Sequence, residues 1–131
     1  MTKDCDVRIL GHSDAGEIKS GARYHKKEGT HYVFFERTEE GVTEKYSVKF
    51  SEEFLEYKRQ GALKTVVCLR PGERTSSKYI TPYGEFDIGF YTGSFLVDEK
   101  EDKIRVSAEY DMTLNGQPHE KGKIMIELAG R

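Results

Sequence analysis

Long hydrophobic runs are what this sequence lacks first. No window approaches the ~18 apolar residues of a membrane-spanning helix, so no membrane partner is expected. Met1-Thr2-Lys3-Asp4-Cys5-Asp6 holds no apolar core and does not read as a secretory signal, so the expected location is cytoplasmic. Cysteine is nearly absent: there are 2, Cys5 and Cys68, with no Cys-x-x-Cys pair and no metal-type cluster. One bridge between them is arithmetically possible, but a reducing compartment favours two free thiols. A basic excess is missing too. The 21 Lys and Arg stand against 23 Asp and Glu, whereas a non-specific nucleic-acid binder usually carries surplus positive charge. No nucleic-acid partner is therefore expected. What remains is a chain of 131 residues, 36% hydrophobic and 34% charged, which suits a single domain over 1–131.

What the sequence does have is alternation. Ile104, Val106, Ala108, Tyr110, Met112 and Leu114 recur at every second position, with charged or hydroxyl residues between most of them. That period predicts a strand with one dry and one wet face. Phe86, Ile88 and Phe90 repeat the pattern. One such strand cannot bury its apolar face alone, and long strands in a short chain favour a sheet closed on itself.

Further strands are predicted over 5–10, 18–26, 31–37, 42–50, 62–69, 78–91, around Phe95-Leu96-Val97, and over 123–129. His12-Ser13-Asp14-Ala15-Gly16 reads as a polar turn. Lys27-Glu28-Gly29 reads as a three-residue hairpin loop, with Gly29 at positive φ. That loop sets Tyr24 opposite Tyr32, Ala22 opposite Phe34, and His25 opposite His31. In 42–50, Glu44 interrupts an otherwise apolar face. Residues 51–60 are ambiguous. Ser51 suits an N-cap and Gly61 a helix end, yet Leu55, Tyr57 and Arg59 also alternate, and a short strand that keeps the meander going is preferred. Pro82 predicts a bulge or corner, and Asn115-Gly116 a turn. The total is nine or ten antiparallel strands joined by short turns. The predicted fold is all-β, an up-and-down closed barrel of about 8–10 strands.

Tyr79-x-Thr81-x-x-Gly84-x-Phe86-x-Ile88, then Thr92, then Ile104-x-Val106-x-x-x-Tyr110-x-Met112, resembles the YwiB-like family of uncharacterised bacterial proteins. Gly21-x-x-Tyr24, Tyr32 and Arg59-x-Gly61-Ala62 fit the same pattern, so the resemblance covers nearly the whole chain. It implies a calycin, or lipocalin-like, barrel in small cytoplasmic bacterial proteins with no activity established for the class. It carries over no catalytic residue and no cofactor. The chain departs from true lipocalins in having no Trp, hence no Gly-x-Trp signature.

Candidate chemistry is sparse. His25 and His31 suggest a metal pair or pH-sensitive spot, but two ligands fall short of a zinc site, and two solvated histidines near a hairpin tip are the plainer reading. Glu109 and Asp111 on a wet face read as solvated charges. Ser94 lacks the glycines of a nucleophile elbow. Arg23, Lys26, Lys27, Lys58, Arg59 and Lys64 lie in neighbouring early strands with Tyr24, Tyr32 and Tyr57 between, a recipe for single-stranded nucleic acid, but acids are interspersed and a mixed surface is preferred. No enzyme is expected. The aromatic set is the most informative feature. It makes either a packed core, in a structural or protein-interaction barrel, or a calyx for a small apolar or aromatic ligand. In the second reading Tyr24, Tyr32, Phe86 and Tyr110 line the cavity. Oligomeric state is left open.

Overall fold

A computed structural model describes residues 2–11, 17–61 and 63–130 of the chain. The strands are β1 (Thr2–Leu10), β2 (Glu17–Lys27), β3 (Thr30–Glu39), β4 (Val42–Ser51), β5 (Phe54–Gln60), β6 (Lys64–Leu69), β7 (Arg74–Thr81), β8 (Gly84–Glu99), β9 (Lys103–Leu114) and β10 (Gln117–Gly130). Each pairs antiparallel with its sequence neighbours, and β1 pairs with β10, closing a ten-stranded up-and-down barrel. The expected all-β meander is present. The polar turn expected at residues 12–16, and Ala62 at the head of the 62–69 run, lie outside the described residues.

The meander gives the barrel two rims. The first rim carries the start of β1 and the Glu28-Gly29 turn. The second carries the end of β1 and the Glu40-Gly41 and Asn115-Gly116 turns. In these three turns both residues have positive φ, as in Glu28 at 51° and Gly29 at 80°. That is the two-residue hairpin turn whose twist matches that of the flanking strands.

This turn corrects the register predicted for β2 and β3. With two loop residues instead of three, Tyr24 faces Val33, and His25 faces Tyr32. A one-residue slip exchanges the faces of a strand. His31, Val33 and Phe35 therefore point inward, and Tyr32 and Phe34 point outward. The sequence His31-Tyr32-Val33-Phe34-Phe35 is apolar or aromatic on both faces, so alternation alone does not choose between them.

The ambiguous segment is a strand. Ser51 accepts a hydrogen bond from the Glu53 amide at 3.1 Å, so its hydroxyl closes a tight turn where a helix cap was the alternative. Pro82 and Tyr83 make the turn between β7 and β8. The separate strand expected around Phe95-Leu96-Val97 is instead the continuation of β8. A register shift between Thr92 and Ser94 inserts Gly93 as an extra residue, which turns Phe95 and Val97 inward after Phe90 and Thr92.

The predicted dry face of β9 is dry. Ile104, Val106, Ala108 and Tyr110 are buried, and Met112 and Leu114 pack against the core as it opens toward the second rim. Its middle is filled by Ile9, Val33, Val48, Leu55, Val67 and Ile126. Neither Cys5, which is buried, nor Cys68, which is half-buried, forms a disulfide.

The wall has two seams. Between β2 and β3 the ladder covers only Arg23–Lys27 against Thr30–Phe34, after which β2 follows β1 and β3 follows β4. Between β6 and β7 only Lys64 and Thr65 pair, with Ile80 and Tyr79. Beyond them, the hydroxyls of Ser77 and Thr75 donate to the carbonyls of Val66 and Cys68. Side-chain donors there replace the missing backbone donors.

Candidate functional site

Toward the second rim the packed core gives way to a cavity of about 430 Å³. Its wall comes from strands far apart in sequence. β5 supplies Tyr57 and Arg59, β6 Thr65, β7 Tyr79, β8 Phe90, and β9 Tyr110 and Met112. β10 adds residues 119–122 at its margin. The alternation of each strand sends these side chains inward, so the closed barrel brings them together.

Two glycines make room. A Cβ on Gly122 would stand 2.8 Å from the Tyr110 hydroxyl oxygen, so that ring occupies space a side chain would fill. A Cβ on Gly61 would stand 2.7 Å from Cγ of Glu44, which lets the Glu44 side chain reach across to β5.

Glu44 and Arg59 form a two-pronged ion pair. Arg59 Nη2 donates to Glu44 Oε1 at 2.8 Å, and Nε donates to Oε2. Both side chains are about three-quarters buried. The pair holds the Glu44 carboxyl below, and the Arg59 guanidinium above, its ordinary range. The guanidinium also lies 5.8 Å from the centroid of Tyr46. The interruption of the β4 apolar face by Glu44 thus has a partner: an Arg at an inward position of the next strand.

Burial favours the neutral phenol at Tyr57 and Tyr110. Burial pushes Tyr110 up to about 12, helped by the charge of Glu120. Burial raises Tyr57 as well, with Tyr46 second. A neutral phenol keeps its proton to donate. Phe90 meets Tyr110 edge-to-face at 5.3 Å, and Tyr79 meets Phe86 at 6.4 Å, so the rings are braced against one another.

The first rim holds a separate polar cluster. The Tyr24 hydroxyl lies 2.7 Å from Nδ1 of His31. His31 is 3% exposed and stacks on Phe50 at 4.6 Å. Its Nε2 is 3.5 Å from Glu99, which also binds Lys26 at 3.0 Å. Burial lowers the pKa of His31 despite the opposing pull of Glu99. A neutral ring accepts from Tyr24 at Nδ1 and turns its Nε2–H toward Glu99.

The four residues expected to share a cavity do not share one. Tyr110 lines the second-rim cavity. Tyr24 is buried at the opposite rim against His31. Phe86 is half-buried and braces Tyr79 without lining the space. Tyr32 lies on the outer face, beside His25 at 5.5 Å. The expectation that His25 and His31 sit together as solvated neighbours is also corrected: they occupy opposite faces, and His31 is buried. The two-residue turn at Glu28-Gly29 accounts for Tyr32 and for the histidines, whereas Tyr24 points inward as expected but at the other rim. Among the described residues no group of three or more His, Cys, Asp and Glu is placed to hold a metal ion. Glu109 and Asp111 are exposed on the outer face.

A model of a domain of unknown function, DUF1934, matches residues 6–126. The chain belongs to this family. It is 27% identical over 120 residues to the uncharacterized beta-barrel protein YwiB of Bacillus subtilis (strain 168), covering 92% of this chain and 84% of that protein. The crystal structure of ywiB protein from Bacillus subtilis superimposes with a TM-score of 0.76 at 26% identity, over 99% of this chain and 92% of that one. The resemblance read from the motifs thus stands at the level of a YwiB-like, uncharacterised β-barrel family. Sequence reasoning missed Arg59, Tyr57, Thr65 and Tyr79 as one group. Their shared signal is inward parity on consecutive strands β5 to β7.

Proposed function

We propose that this protein is a non-catalytic, cytoplasmic binding barrel that takes a small ligand in the second-rim cavity. The carrying observation is the cavity of about 430 Å³ walled by Tyr57, Tyr79, Phe90 and Tyr110 from four strands. Its size falls within the ~300–1,000 Å³ of small-molecule sites. The rings suit an aromatic or apolar body. Thr65, the phenols and Arg59 suit one or two polar atoms on it, so the ligand is part-polar and not purely apolar. Glu44 is engaged by Arg59 and is no free base, which supports binding over chemistry. We also place the barrel with the calycin, or lipocalin-like, kind, on its closed meander and a cavity opening at one rim, though it has ten strands where lipocalins have about eight.

Native mass spectrometry of the protein purified from its own host tests the reading. A retained small-molecule mass, absent from a Tyr79→Ala variant, is the expected result. A metabolite present at ~100 times its dissociation constant should add about 2.7 kcal/mol in a thermal-shift screen. No adduct and no shift would transfer the role to a structural or interaction barrel with an unliganded core.

A further inference from the structure

The near-neutral total charge conceals a segregation. On the outer face of β2–β6, a continuous half of the wall, the strands present Lys19, Arg23, Lys27, Lys45, Lys49, Lys58 and Lys64, with Arg70 just past β6. The acids of this face are Glu17, Glu36 and Glu56, with Asp4 of β1 facing Arg23 at the margin and Glu28, Glu52 and Glu53 in turns at the first rim. Among the described residues Lys19 pairs with Glu17 and Lys58 with Glu56, and the other six bases of this face have no salt-bridge partner. On the rest of the wall more of the bases are paired: Lys78 binds Asp87, Lys103 and Arg105 both bind Glu127, and Arg8 reaches Glu17 across the β1–β2 ladder, while among the described residues Arg74, Lys121 and Lys123 have no salt-bridge partner there.

Aromatic rings stand among the unpaired bases. Phe34 is 51% exposed, directly opposite Arg23 on β2 and Ser47 on β4. Tyr32, two residues earlier on β3, is about 7 Å away along the strand. Lys49 lies over the rings of Tyr32 and Phe54, at 5.6 and 5.9 Å, and Arg70 lies over Phe54 at 5.6 Å. Where β2 and β3 part, an outer groove of about 730 Å³ runs past Phe34, with Arg23 on one bank, Lys45 and Lys58 on the other, and the acids Asp4 and Glu36 also in its lining.

We propose that the outer face of β2–β6 binds single-stranded nucleic acid, its bases stacked on Phe34 and Tyr32 and its phosphates held by Arg23, Lys45 and Lys58. A basic groove that tracks the backbone, with rings spaced for successive bases, is the recipe for sequence-tolerant binding of single strands. A duplex hides its base faces and cannot use the rings. A purely acidic protein would use the charges and leave Phe34 without a role. The sequence pointed away from such a partner because it shows only the total of the charges, not the face each one takes.

Fluorescence anisotropy of a labelled oligo-uridine and its duplex counterpart, at about 50 mM salt, decides this. The single strand is expected to bind more tightly than the duplex. Phe34→Ala and Tyr32→Ala should each weaken it at least ~5-fold. Lys45→Glu with Lys58→Glu should flatten the salt dependence by about one unit of slope per lost phosphate contact. Arg105→Glu on the opposite wall should leave binding unchanged. These are surface positions, and unchanged thermal melts confirm that each variant folds. Three results would overturn the proposal: no binding at low salt, equal affinity for duplex, or indifference to Phe34→Ala. The last two would leave a plain polyanion surface, and the first would point to an acidic protein.

Discussion

Tyr110 of β9 and Gly122 of β10 are directly paired, and the ring of one fills the space the other leaves bare: a Cβ on Gly122 would lie 2.8 Å from the Tyr110 oxygen. The contact sets where the Tyr110 ring stands in the cavity wall. Gly122→Ala should therefore destabilise the barrel by about 1–3 kcal/mol, since overpacking displaces a braced ring. Tyr110→Ala should cost more, about 3–5 kcal/mol, by enlarging the cavity. Combined, the two should cost less than their sum, because the alanine methyl no longer meets a ring. Urea unfolding of the two single variants and the double variant measures this.

The Glu44–Arg59 pair makes a separate prediction. Glu44→Gln leaves the guanidinium a weaker partner and should cost about 1–3 kcal/mol, toward the low end because both groups keep some solvent contact. The folded pKa of Glu44 lies below its unfolded value. Its stabilisation is thus present above the ordinary Glu pKa of about 4.3 and lost as pH falls through the folded value. Wild type should lose stability toward acid faster than Glu44→Gln in that window.

His31 shifts in the same direction for another reason. Burial favours its neutral form, so the unfolded chain takes up a proton first as pH drops. Its contribution is full above the unfolded His pKa of about 6.5 and declines as pH falls below it. The urea midpoint should drop between pH 7.5 and 5.5, and His31→Phe should remove most of that drop. Tyr24→Phe, which deletes the 2.7 Å hydrogen bond, should cost about 1 kcal/mol at neutral pH.

Much of this fold was legible in the sequence. The alternation of 104–114 and the Asn115-Gly116 turn are local signals, and they led to a closed meander with the dry face of β9 assigned. The site was less legible because it depends on register. One residue of loop length at Glu28-Gly29 decides whether Tyr32 or His31 is inside, and both faces of β3 are apolar enough to permit either. Glu44 was visible as an interruption, but its meaning needed Arg59 at an inward place on the adjacent strand. The bulge at Gly93 likewise reverses parity without a break in the strand, which alternation alone does not predict. The charge segregation was invisible until each base had a face.

The ligand cavity is tested most directly by amide chemical-shift mapping during titration with a library of small part-polar aromatic compounds. Saturable shifts are expected to cluster at Arg59, Thr65, Tyr79, Phe90 and Tyr110 while Tyr24 and His31 at the opposite rim stay still. Shifts confined to the outer face, or none across the library, would contradict a ligand site there.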